Sequence, residues 1–328
     1  MRKPCHAYPA LRGVQAFLAL LLFVGCGGDG GGGVNPTVDA RTPDASVQLD
    51  AGTTARPDAG GGAEPDARPL VDDAGCPLST GPLPSLEDAG FPSDGLALWL
   101  RADRGVATTD GRVVCRWDDE SGQGHGFRPT ATPPTLAPTG IRDLSAVSFV
   151  GNQELSRGDE IGIDAASGRT VAVFGMATDT THRFHYFIQG RVGTAGTYFG
   201  LDQNTFNTSG SLEGVYVTNN AFDSNLPTSG AARSHIFSIS SFTPGGQLPN
   251  VLVYAVDGTP TTLSRRPGGL GNGTVEDFSG ANFTAIGSAD GTFGGAFIGE
   301  VMVWNRALND TERAMVQSHF VARFPPSP

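Results

Sequence analysis

The folded part of this 328-residue chain predicts an all-β fold, an antiparallel sandwich with one short C-terminal helix. Three observations predict it. From Phe91 onward, short apolar runs alternate their faces with period two. Gly, Pro, Asn and Asp punctuate these runs, with Asp-Gly turn pairs at Asp110-Gly111 and Asp257-Gly258. One stretch alone, near the C-terminus, carries helical spacing.

In chain order, Leu96 to Arg101 reads as a compact apolar strand, and Arg112 to Trp117 as the next. A polar, glycine-rich turn, Asp118-Asp119-Glu120-Ser121-Gly122-Gln123-Gly124, follows and reads as solvated. Later strands are expected over Ala146 to Val150, Thr170 to Met176, Arg183 to Gln189, Thr197 to Leu201, His235 to Ser240 and Val251 to Val256. Ala296 to Asn305 alternates Phe297, Val301 and Val303 against Ala296, Ile298, Met302 and Trp304. The helix starts after Asn309, with Glu312 as its capping-box partner. Its apolar stripe is Ala314, Met315, Phe320 and Val321, with Val316 flanking, and Pro325 and Pro326 end it. A stripe this short fits packing on the sandwich's rim.

Composition divides the chain. Its 47 Gly and 23 Pro, with only 17% charged residues, place a low-complexity part beside the folded one. A net charge of −11 argues against nucleic acid as a partner. No apolar run is long enough for an ordinary membrane-spanning helix. Arg2, Lys3 and Arg12 precede an apolar segment, Val14 to Val24, of signal-peptide length. Phe23-Val24-Gly25-Cys26 then resembles the lipobox of bacterial lipoproteins, with Phe23 where that family prefers Leu. The resemblance implies cleavage before Cys26, acylation of that residue, and a membrane as partner through the lipid. Gly27 after the cysteine leans, by the same resemblance, towards the outer membrane or cell surface.

Four regions are therefore expected: a signal peptide over 1–25, a disordered Gly/Pro/Asp/Ala-rich tether over 26–90, the sandwich over 91–324 and a tail over 325–328. The tether repeats Asp-Ala and has no aromatic residue before Phe91, so it cannot bury enough apolar surface to offset chain entropy. Cys5 would leave with the signal and Cys26 would be lipidated. Cys76 and Cys115 remain, either as a disulfide in an oxidising compartment or as two free thiols.

The runs LALWLRAD, RVVCRWDDESGQGHGF, LSAVSFVGNQEL, RTVAVFGM and FIGEVMVWNRALNDTERAMVQSHF resemble the laminin-G-like, concanavalin-A-like jelly-roll family over roughly Asp94 to Phe324. That resemblance implies two packed antiparallel sheets. Members serve as carbohydrate-binding modules, adhesion domains and, in some branches, glycoside hydrolases or lyases, and many hold calcium near a loop rim.

Functional residues are harder to read. No Glu-x-Asp-x-Glu cluster puts alternate carboxylates on one strand face, and Gly-x-Ser-x-Gly is absent, so the expectation is a non-enzyme. His182 and His185, three apart on a strand, would point to opposite faces and chelate poorly. Asp202 and Asn204 are the calcium candidates, read as one side of a loop, although no EF-hand spacing exists. Trp99, Trp117 and Trp304 lie in strands and read as core. Tyr198, Tyr216, Asn219 and Asn220, read as lying at polar loops, make the candidate ligand face. The leading expectation is a lipid-anchored envelope domain for binding or adhesion, with glycan or a surface protein as partner. A structural envelope domain without a small ligand, and an unrecognised glycoside hydrolase or lyase, are the alternatives.

Overall fold

The structure is a computed structural model that describes residues 71–72, 74–77, 90–130, 132–158, 161, 167–190, 198–203, 212–218, 220–248, 251–266, 273–275, 283–287 and 294–326. Cys26, the signal-like segment, most of the tether range, Asn204 and Asn219 lie outside the described residues.

The strands are β1 (Leu96–Arg101), β2 (Val106–Thr108), β3 (Val114–Trp117), β4 (Arg128–Pro129), β5 (Thr135–Ile141) and β6 (Leu144–Phe149). Next come β7 (Glu154–Arg157), β8 (Ser167–Ala177), β9 (Phe184–Gly190), β10 (Tyr198–Gln203), β11 (Leu212–Thr218) and β12 (Asn220–Pro227). The last are β13 (Arg233–Ser241), β14 (Leu252–Val256), β15 (Thr259–Thr261), β16 (Ser264–Arg265), β17 (Phe283–Gly287) and β18 (Ala296–Trp304), before the helix α1 (Asp310–Arg323).

These strands build an antiparallel β-sandwich of the jelly-roll type. The first sheet runs β15-β14-β13-β8-β18-β6-β5. One edge of β18 is shared, because β6 pairs with Ala296 to Ile298 and β1 with Glu300 to Trp304. The second sheet runs β16-β12-β11-β10-β9-β17-β7-β4, and β2 and β3 form a separate ribbon. Val171, Val173, Phe237 and Ile239 from the first sheet meet Phe187, Phe199, Leu201 and Val215 from the second in one buried cluster. Phe199 stacks on Phe237 across this core, ring centroids 5.0 Å apart.

The alternate residues of the first sheet make a second core on its outer face. Trp99, Ala172, Phe174, Ile236, Met302 and Trp304 are covered there by Leu308, Val316, Phe320 and Phe324. The helix therefore lies across a sheet face rather than on the rim. Its capping box at Asn309 and Glu312 is present. Its stripe differs from the expected one: Val316 and Phe320 are buried, whereas Met315 and Val321 are 41% and 51% exposed. The expected alternation of β18 is also broken. Ile298 faces Gly175 and Glu300 faces Phe174, so one extra residue bulges between them. Ala296 and Ile298 consequently share the inter-sheet core with Val301 and Val303, while Met302 and Trp304 turn to the helix.

Two tight hairpins show opposite sequence legibility. Asp257 and Gly258 both adopt positive φ (49° and 75°) between β14 and β15, as the Asp-Gly pair requires. Arg142 and Asp143 do the same between β5 and β6 without any glycine. There Arg142 donates to the carbonyls of Phe324 and Ala232, which holds the turn from outside.

Ordered chain also reaches into the range read as tether. Cys76 is disulfide-bonded to Cys115, and Asp72 pairs with Arg116 and Arg128. The turn after β3 is no solvated loop. Asp119, Glu120 and Ser121 are each at most 6% exposed.

Candidate functional site

The outer face of the second sheet carries the described residues that converge best. Period two in β10 turns Phe199 and Leu201 into the core and leaves Tyr198, Gly200 and Asp202 on the outer face. In β11 it buries Val215 and Val217 and leaves Gly214 and Tyr216 outward. In β12 it buries Phe222 and leaves Ala221 and Asp223 outward. Asp202 stands opposite His185 on one side and Gly214 on the other, and Gly214 stands opposite Asp223. His185, Asp202 and Asp223 thus form one row across the sheet, with a glycine gap between the two aspartates.

Two arginines close this row. Arg183 Nε pairs with Asp202 Oδ2 at 3.1 Å, and its guanidinium carbon lies 4.7 Å from the Tyr216 ring centroid. Arg266 pairs with Asp223 Oδ1 at 2.8 Å and donates to the Tyr216 hydroxyl at 3.0 Å. Its guanidinium carbon is 5.5 Å from the same centroid. One phenol ring is thereby flanked by two guanidinium groups, each paired with its own aspartate. His185 meets the ring edge-on at 6.4 Å.

Burial dominates the electrostatics. Asp202 is 2% exposed, and desolvation raises its carboxyl above the usual range despite Arg183, His185 and Arg266. Its Oδ1 has no hydrogen-bond partner among the described residues. Burial also raises the Tyr216 hydroxyl, against the opposing pull of the two arginines. Desolvation works to lower Arg266, but its bond to Asp223 prevails and the net shift is upward.

The structure corrects the placement of several candidate residues. Tyr216 and Asn220 lie in paired strands, not loops, and Asp202 is the penultimate residue of β10. The polar outer face of β11 and β12 hides these strands from an apolar-run reading. Tyr198 sits apart from the cluster, half-buried, its ring over Gly190 and 6.1 Å from that of Phe283. Asn220 is fully buried; it donates to the Thr274 carbonyl and accepts from the Gly273 N–H. It therefore anchors that segment. His182 is exposed in the turn before β9 and bonded to Asp179, away from the buried His185. Among the described residues, no three His, Cys, Asp or Glu side chains come together as a metal site.

Sequence reasoning missed Arg183, Asp223 and Arg266, and set His185 aside as a poor chelator. The available signal was rarity: in a chain with 17% charged residues, a charge inside an otherwise apolar strand demands a partner.

No family model and no curated protein matches this sequence. Solved structures similar to it include an arabinofuranosidase complexed with arabinofuranosyl-alpha-1,2-xylobiose, with TM-score 0.49 and 13% identity over 70% of this chain and 59% of that one. The binding domain of Botulinum neurotoxin DC in complex with rat synaptotagmin II matches with TM-score 0.45 and 9% identity, over 69% and 52% of the two chains. The Trypanosoma rangeli sialidase matches with TM-score 0.43 and 15% identity, over 71% and 34%. The chain spans about three fifths or less of the length of these structures. The expectation of a non-enzyme does not stand, because arabinofuranosidases and a sialidase are among the similar structures. At these identities and TM-scores the likeness carries no activity, substrate or partner over to this chain.

Proposed function

We propose that this chain is held at the cell envelope by a lipid on Cys26 and displays its sandwich as a carbohydrate-binding domain, with the outer face of the second sheet as the site. The observation that carries the reading is Tyr216 flanked by Arg183 and Arg266, each pinned by an aspartate. Sugars offer apolar C–H faces to an aromatic ring and hydroxyls to planar guanidinium and carboxylate groups, so this set matches them. Asp202 Oδ1 is the group through which calcium would act, and the partner is a glycan or a surface protein.

A glycan array, run with and without calcium, tests the site. Binding that falls at least tenfold in Tyr216→Ala, with the far-UV circular dichroism unchanged, is the expected result. An array silent under both conditions would overturn it. The anchor is tested by Cys26→Ser, which is expected to move the protein from the membrane fraction to the soluble one. Unchanged fractionation would remove the anchor from the reading. A second reading, a structural envelope domain, is favoured by one observation: His185, Asp202 and Asp223 are at most 4% exposed, as in an ionic ladder that only braces the sheet.

A further inference from the structure

At one end of the sandwich, the end of β12, the start of β13 and the β14–β15 hairpin line an open-sided cavity of about 520 Å³. That is the size of a small-ligand site. Its wall carries Asn225, Thr259, Thr261 and Thr262, and Arg233 is the one cation among its lining residues. Arg233 Nη1 donates to Glu213 Oε1 at 3.2 Å, and its Nε stands 3.9 Å from Asp257 Oδ2. Its Nη2 makes no hydrogen bond among the described residues.

Glu213 does not line the cavity. It lies behind Arg233, 3% exposed, on β11. Tyr254 of β14 donates towards its Oε2 at 3.4 Å, and His235 Nδ1 of β13 is 3.7 Å away. The Tyr254 hydroxyl and His235 Nδ1 are themselves 2.9 Å apart. Tyr186 of β9 stacks on His235 and donates to Gln203 of β10, and Ser224 of β12 donates to the Glu213 backbone carbonyl. Asp257, in the hairpin turn, is the remaining charge, and its Oδ1 accepts from the Ser234 N–H at 3.0 Å.

Burial raises Glu213 to about 7, offset in part by Arg233. Burial lowers His235 to about 4 and raises Tyr186 and Tyr254. Glu213 is therefore the member of this group that titrates near neutral pH. Once it is protonated, Arg233 keeps its charge and loses its buried counter-ion.

We propose that this cavity binds an acidic saccharide unit, whose carboxylate takes the Arg233 guanidinium in place of Glu213 and whose hydroxyls meet the threonine wall. Binding then carries a proton onto Glu213. Asp257 weakens it by like-charge repulsion. This site is separate from the Tyr216 cluster. Loss of either proposal leaves the other standing, because the two are read with different ligands and different variants.

The test titrates glucuronate into the full chain by saturation-transfer NMR, with glucose as the neutral counterpart and acetate as the bare anion. Glucuronate is expected to bind about tenfold more tightly at pH 6 than at pH 8, because only the protonated Glu213 frees Arg233. Glu213→Gln is expected to bind equally at both pH values. Asp257→Asn, which keeps a residue tolerant of positive φ, is expected to tighten binding severalfold. Arg233→Met is expected to abolish it. Glucose bound as tightly as glucuronate overturns the role of the carboxylate, and acetate bound as tightly overturns the saccharide assignment. No binding of glucuronate at pH 6, or a pH dependence that persists in Glu213→Gln, overturns the proposal outright.

Discussion

The carboxylate of Asp119 accepts four hydrogen bonds: from the Trp99 and Ser121 N–H groups through Oδ1, and from the Ser121 hydroxyl and His125 N–H through Oδ2, all at 2.8 to 3.0 Å. It thereby fastens the turn after β3 to the middle of β1. Asp119→Ala would leave several buried donors unpaired, each costing about 1–3 kcal/mol. We expect a loss of about 3–5 kcal/mol in urea unfolding with an unchanged m-value; a loss under about 1 kcal/mol would show that the clamp carries no load. The turn itself was legible, since Asp, Ser and Gly favour turns for local reasons. Its burial was not, because the Trp99 N–H that holds Asp119 comes from 20 residues away. The same blindness hid the candidate site. Asp202 finds Arg183, and Asp223 finds Arg266, only through strand register and long-range folding.

At the scale of the element, α1 separates what local rules fix from what docking decides. Its start follows from the Asn309–Glu312 box, a reciprocal pair within one turn. Its buried face is Val316 and Phe320, continued at the same spacing of four by the C-cap residue Phe324, and this row meets Phe174 and Trp304 on the sheet. Phe324 stacks on Phe174 at 4.1 Å. Met315 and Val321 are equally apolar but point away, because the position of the sheet, not helical periodicity, selects the row. Phe320→Ala is expected to cost about 3–5 kcal/mol, and Met315→Ala less than about 0.5 kcal/mol, in chemical denaturation. Equal effects would mean the helix is not docked on this face. β18 makes the same point for strands. Its apolar residues announced the strand, but the bulge between Ile298 and Glu300 reassigned half of them, and nothing in the local sequence marks which half.

The whole molecule closes one end of its inter-sheet space with titratable groups rather than with aliphatic side chains, and this makes its stability respond to pH in a defined way. Glu213 has an ordinary value of 4.5 and a folded value of about 7. The folded state therefore keeps a proton that the unfolded chain releases. The stability this contributes is full below about pH 4.5 and is lost as pH rises through 7. His235 runs the other way. Its value falls from 6.5 to about 4, so its contribution is present above 6.5 and lost as pH falls through 4. Between about 4.5 and 6.5 the two proton counts cancel, and the pair adds no slope. Glu213→Gln removes one half of this balance. Relative to the unaltered protein, the variant is expected to gain about 1.4 kcal/mol per pH unit across that window and up to 7, the cost of one proton held by the folded state alone. Urea midpoints measured for both proteins at half-unit steps from pH 4.5 to 7 would read this difference directly. Surface carboxylates titrate alike in the two chains and drop out. Two parallel profiles would mean that Glu213 ionises normally inside the sandwich, and that Arg233 keeps its counter-ion at every pH in that range.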